Sequence, residues 1–131
     1  MTRGIRNNNP GNIRHGDKWQ GLCSRQTDKS FCQFQAPEYG IRAMFVILRN
    51  YVKLYGDKTI RQFISRWAPK IENDTEAYIN YVSRTTDIAS DAVIDVNHQE
   101  TMTALVKAMI RMENGKQPYS EATFEKAYGM L

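Results

Sequence analysis

From Glu38 to the last residue, the apolar side chains recur at three- and four-residue steps, a period that builds helices with one buried face and leaves little room for a sheet. Ile41, Met44, Phe45, Ile47, Leu48, Tyr51 and Val52 form a broad stripe that Gly56 and Asp57 terminate, which predicts a long core helix from Glu38 onward. Three further starts each carry a polar residue followed three positions later by Glu or Gln: Thr59 with Gln62, Asn73 with Glu76, and Asn97 with Glu100. Such pairs cap one another's free backbone N–H groups. Helices are therefore expected over 59–67, 74–86 and 98–113, with a short one after Ser120; Pro69 and Gly115 stop two of them.

The N-terminal part reads differently. Residues 2–16 are rich in Asn, Gly and Pro and have no apolar period, so an irregular, hydrogen-bonding loop is expected there. Lys18 to Cys23 and Phe31 to Gln35 flank the polar stretch Ser24 to Ser30 and read as a small β-hairpin. The expected class is α+β, mostly α, with residues 1–131 forming one domain. A chain of 131 residues with 41% hydrophobic side chains buries roughly 65 to 70% of its unfolded surface, so its core needs neither metal nor disulfide. Cys23 and Cys32 lack the Cys and His company of a zinc site, and no metal or cofactor is expected. Facing hairpin strands leave a disulfide open, and two small apolar fillers are the simpler reading.

Charge is distributed unevenly. Residues 1–70 carry 13 basic and 4 acidic side chains, residues 71–131 carry 5 and 10, and the total is a modest +4. One face is thus expected to meet an anionic or extended polymer, whether nucleic acid, membrane surface or bacterial envelope. No apolar run reaches the ~18 residues of a membrane span, and Met1 to Gly16 is too polar for a signal peptide, so the chain is expected to start in a cytoplasm.

One side chain breaks the helical pattern in an informative way. In the helix from His98 to Glu113, the apolar positions Met102, Leu105, Val106, Met109 and Ile110 share a face, and Glu113 continues it. A solvated glutamate belongs on the opposite side, near Lys107 or Arg111. Partial burial disfavours an anion, and the negative end of the helix dipole acts in the same direction, so this carboxyl is suited to donate a proton. By periodicity alone, a frayed last-turn residue turned to solvent remains the simpler alternative.

Glu113-Asn114-Gly115 at a helix end resembles the Glu-Ser-Gly that closes the catalytic helix of lytic transglycosylases and related glucosaminidases of the lysozyme-like superfamily. Asn9-Pro10-Gly11-Asn12-Ile13-Arg14, Trp19-Gln20-Gly21, Phe31 to Phe34 and Tyr39-Gly40-Ile41-Arg42-Ala43 resemble the segment that follows this helix in those enzymes. Here that segment comes first, so the order looks circularly permuted, which is feasible because domain termini often lie close together. Together with Arg3 to Asn8, Trp67-Ala68-Pro69 and Glu72-Asn73-Asp74-Thr75, these motifs are similar to a family of small phage and prophage endolysins over nearly the whole chain.

The resemblance implies a lysozyme-like helical domain that cleaves the β-1,4 bond between N-acetylmuramic acid and N-acetylglucosamine, with Glu113 as general acid and base. It further implies a monomer that accumulates in the host cytoplasm, reaches the periplasm and cell wall through lesions made by a separate holin, and lyses the host. Tyr78, in Thr75 to Val82, matches a tyrosine whose hydroxyl faces the catalytic glutamate; a core tyrosine explains it equally well. Glu72 is a possible second carboxylate, or else a residue that only bonds the Trp67 to Thr75 turn. Glu38 opens a helix and needs no other role.

Asn9 and Asn12 are candidate substrate amides, although turn asparagines commonly bond their own backbone. Trp19, Gln20 and Tyr119 join them as substrate-binding candidates, and Trp67 is expected in the core. The alternative from another class is a virion or cell-wall protein that holds glycan without cutting it. Specific nucleic-acid binding is not expected, since only the basic first half speaks for it.

Overall fold

The computed structural model describes residues 1–71 and 73–131, which form six helices: α1 (Arg3–Arg6), α2 (Pro37–Tyr55), α3 (Ile60–Trp67), α4 (Thr75–Thr86), α5 (Gln99–Asn114) and α6 (Glu121–Gly129). The long expected helix is α2. Pro37 occupies its first turn, where a fixed φ helps and a missing N–H costs nothing. Its end is the expected one, because Gly56 takes φ 70° and donates to the Val52 carbonyl at 2.9 Å while Asp57 donates to Tyr51 at 3.3 Å.

Thr59 caps α3 by accepting from the Gln62 N–H at 3.2 Å, as its spacing predicts. The other two caps fall one residue later than expected. Asp74 rather than Asn73 accepts from the Ala77 N–H of α4, since the Asn73 amide donates instead to the Pro69 carbonyl at 3.2 Å. His98 rather than Asn97 accepts from the Thr101 N–H of α5, at 3.3 Å. Within the expected irregular loop, residues 3–6 form the helical turn α1, capped by Thr2.

The expected β-hairpin is replaced by two isolated bridges, Leu22 with Phe34 and Arg14 with Phe31. The segment 31–35 thus pairs with two different partners for one bridge each, and no strand of more than a single pair forms among the described residues. Backbone bonds from the Cys23 N–H to Gln33 at 2.9 Å and from the Gln35 N–H to Gly21 at 2.8 Å make the Leu22–Phe34 bridge, and beyond it a side-chain amide intervenes: Gln26 donates to the Cys23 and Gln33 carbonyls at 2.9 and 2.8 Å and accepts from the Gln33 N–H at 2.8 Å. Local side-chain bonds of this kind compete directly with a sheet. Both cysteines are free thiols, Cys32 buried and Cys23 half-buried.

The core draws Phe34 from the N-terminal part, Ile41, Met44, Phe45 and Leu48 from α2, Phe63 from α3, Ile79 from α4, Leu105 and Met109 from α5, and Phe124 from α6. Helix α5 is central, packing on α4, α2 and α1, while α6 covers α2 and α3 packs on α4. No helix among the described residues is long and apolar enough to cross a membrane.

Gly40, in the first turns of α2, allows the closest approach between this core and the N-terminal loop. A Cβ there would stand 2.1 Å from the Asn8 carbonyl oxygen. Gly40→Ala is expected to lower stability by about 1–3 kcal/mol through backbone displacement, read as a lower urea midpoint with an unchanged m-value.

Candidate active site

Helix α5 buries Met102, Leu105, Val106, Met109 and Ile110 completely. Glu113 follows on the same face and is half-buried, lining a cleft of about 570 Å³ together with Gly11, Asn12, Arg14, Phe31 and Trp67. Volumes of that order hold a small-molecule or glycan segment. Across the cleft, Asn12 Nδ2 donates to Glu113 Oε1 at 3.2 Å, joining residues 101 positions apart. Asn12 adopts a left-handed φ of 51° and its N–H donates to the Asn9 carbonyl at 3.0 Å, a tight turn that turns its amide toward α5.

Tyr78 reaches the same carboxyl from α4. Its side chain is buried, and its hydroxyl lies 3.5 Å from the Met109 carbonyl and against Glu113 and Trp67. Burial above all pushes its phenol well above the ordinary value; the Glu113 charge and hydrogen bond act in the same direction, and Trp67 opposes them. Tyr78 therefore stays a neutral phenol that can donate a hydrogen bond.

The end of α5 is fixed by the residue after the acid. Asn114 Nδ2 donates to the Pro10 carbonyl at 2.8 Å and to Ile110 at 3.0 Å, and its Oδ1 accepts from the Thr2 hydroxyl at 2.7 Å. Gly4 makes room for this amide, since a Cβ there would fall 2.7 Å from Asn114 Oδ1. In the loop that carries Phe31, Asp28 accepts from Arg3, at 2.6 and 2.7 Å, from the Asn7 amide at 2.9 Å, and from the Ser30 and Phe31 N–H groups at 2.9 and 3.0 Å. These donors, Arg3 first, then Asn7, Phe31 and Ser30, hold its carboxyl well below the usual carboxylate range.

Of the residues the sequence singled out, Glu113, Asn12 and Tyr78 converge. Asn9 does not join them: it is fully buried, donates to the Ile13 and Cys32 carbonyls at 2.9 Å each, and accepts from the Ile13 N–H at 3.0 Å, so its amide is spent on backbone. Trp19 packs half-buried against the core and is not among the cleft residues, and Gln20 is exposed outside it. Tyr119 is a packing residue set edge-on to Phe124 at 6.4 Å, its phenol pushed up to about 12 by burial. Trp67, expected in the core, is half-buried and lines the cleft. Glu72 lies outside the described residues.

Sequence reasoning did not single out Arg14 and Phe31, which line the cleft, nor Asp28 and Asn114, which fix the loop and the helix end beside it. Asn114 had a signal, because it follows the acid in a quoted motif; Asp28, isolated in a polar loop, had none. A larger depression of about 670 Å³ between α5 and α6 is lined by His98, Glu100, Lys107, Glu121 and Glu125, but Lys107 already pairs there with Glu121. Among the described residues, no group of three His, Cys, Asp or Glu side chains is placed to hold a metal ion.

Fold and cleft together define a mainly helical protein whose carboxyl, amide and phenol meet at one surface cleft. No known protein-family profile matches the chain. Over 131 residues it is 43% identical to Protein P5 of Pseudoalteromonas phage PM2, covering 97% of this chain and 80% of that protein. The chain belongs to the family of this bacteriophage protein.

Asn114→Ala strands the Thr2 hydroxyl and the Pro10 carbonyl, so a loss of roughly 2–3 kcal/mol in urea unfolding is expected. For Asp28 the sign follows from its lowered folded-state value: its stabilisation is complete above about pH 4, the ordinary carboxylate value, and is lost as pH falls through the lower one. Asp28→Asn is expected to lower Tm near neutral pH and to flatten the fall of Tm between about pH 5 and pH 2, measured by circular dichroism.

Proposed function

We propose that this chain is a peptidoglycan glycosidase, an endolysin-type muramidase that cleaves the β-1,4 bond between N-acetylmuramic acid and N-acetylglucosamine during host cell lysis. The observation that carries this reading is the half-buried Glu113 on a rigid helix end, facing a glycan-sized cleft and oriented by Asn12. Glu113 protonates the glycosidic oxygen as the bond breaks. As carboxylate, it then takes a proton from the muramic 6-hydroxyl or from water, and the substrate's N-acetyl group stabilises the positive charge at the anomeric carbon. Glu113 lines the cleft, and one carboxyl that acts first as acid and then as base is sufficient for this route.

Asn12 and Tyr78 act through Glu113 as positioning residues, holding the carboxyl in one rotamer. Trp67 and Phe31 offer apolar faces against which pyranose rings can pack. The family's bacteriophage member fits a lysis role, in which the protein collects in the host cytoplasm and meets the wall once a holin has opened the membrane.

Glu113→Gln keeps the shape and the bond to Asn12 but cannot deliver a proton. Soluble muropeptides released from purified sacculi, measured by mass spectrometry, are expected to fall by about 10²–10⁴-fold. Undiminished release by this variant sinks the assignment. Wild-type product with a 1,6-anhydro end indicates a transglycosylase and a reducing end a lysozyme, whereas sedimentation with sacculi and no release indicates a glycan-binding protein.

A further inference from the structure

Two guanidinium groups flank one aromatic ring at the cleft. Arg3 Cζ lies 4.6 Å and Arg14 Cζ 4.9 Å from the centre of the Phe31 ring. Their situations differ. Arg3 is engaged by both oxygens of Asp28, so its charge is already answered within the fold. Arg14 is exposed and makes no ion pair or side-chain hydrogen bond among the described residues.

The backbone explains why Arg14 is held there. Arg14 and Phe31 are the two members of an antiparallel bridge, secured by the Cys32 N–H to the Ile13 carbonyl at 2.9 Å and the His15 N–H to Ser30 at 3.3 Å. Paired residues in such a bridge place their side chains on the same face, so the guanidinium lies on the ring and not free in solvent. Both line the cleft that holds Glu113, and among the described lining residues Arg14 and Glu113 are the two with charged side chains. A stacked guanidinium keeps its planar fork of N–H donors available and loses little freedom when a carboxylate docks on it.

We propose that Arg14 is a specificity-determining residue that binds a carboxylate of the stem peptide carried by muramic acid, so that peptide-bearing glycan is preferred over uncharged glycan. This rests on the glycosidase reading for its substrate but not on Glu113 chemistry for its test. The docked anion is held by the opposite charge of Arg14, which makes no ion pair with Glu113 in the same lining. A neutral polysaccharide offers this fork only uncharged acceptors without the bidentate carboxylate geometry, so Arg14 adds little to its binding.

The test uses sacculi freed of phosphate polymers, either native or with their carboxylates converted to amides by carbodiimide and ammonia. In the Glu113→Gln background, which separates binding from cleavage, co-sedimentation is expected to weaken about tenfold on Arg14→Ala with native sacculi and less than twofold with amidated ones. Arg14→Lys, which keeps the charge but not the fork, is expected to fall between. Equal losses of binding on both kinds of sacculi, or no loss on either, overturn the proposal. If wild-type protein releases no muropeptide while the Arg14 difference persists, the glycosidase reading fails and the carboxylate site stands.

Discussion

Asn114 ties the last turn of α5 to the N-terminal segment, and the cleft depends on that tie. Its amide reaches the Pro10 carbonyl across 104 positions of sequence while its oxygen takes the Thr2 hydroxyl. A buried amide with three partners is costly to strand, so the helix end has one place to dock. Glu113 and Asn12 each lie one or two residues from those anchored atoms. Their 3.2 Å contact follows from this docking more than from any attraction of its own.

The hydrophobic face of α5 supplies the other half of the constraint. With Met109 and Ile110 fully buried, the helix cannot rotate, and the next position on that face must meet the cleft. Tyr78 closes it from behind. Its phenol, kept neutral by burial, packs against Glu113 from a helix held to α5 by Ile79 and Val82.

The helical part was legible because its period is repeated over many residues, and an error at one position does not move the stripe. Caps were legible only to within a residue: Asn73 and Asn97 have the right chemistry, but neighbouring Asp74 and His98 also do, and tertiary bonds decide between them. Of the expected hairpin only the single Leu22–Phe34 pairing is present, because the Gln26 side chain bonds the Cys23 and Gln33 backbone where a longer ladder would continue, and no apolar pattern records that competition. Asn9 and Asn12 show the same limit within the site. They are alike in type and three positions apart, yet one is spent on backbone and the other faces the acid, a difference set by a turn with φ 51° that no spacing rule encodes. The inward placement of Glu113 was the residue's own signal, a charged side chain continuing an apolar face, although periodicity alone left a frayed, solvent-turned end as the simpler reading.

The division of charge between the two parts of the chain is bridged in part by folding. Arg61, from the basic half, reaches Glu76 at 2.9 Å and Asp91 at 3.2 Å in the acidic half, and Lys126 returns the exchange by approaching Glu38 at 3.7 Å. Within the basic half, Arg66 takes Asp57 at 2.7 Å and Arg3 takes Asp28. Surface pairs of this kind are weakened by water and salt, and they lower the long-range field that raw counts suggest without cancelling it. The electrostatics of the cleft are therefore set less by the totals than by which cations stay outside such pairs. Arg14 is such a cation, its guanidinium 4.9 Å from the centre of the Phe31 ring in the lining that also holds Glu113.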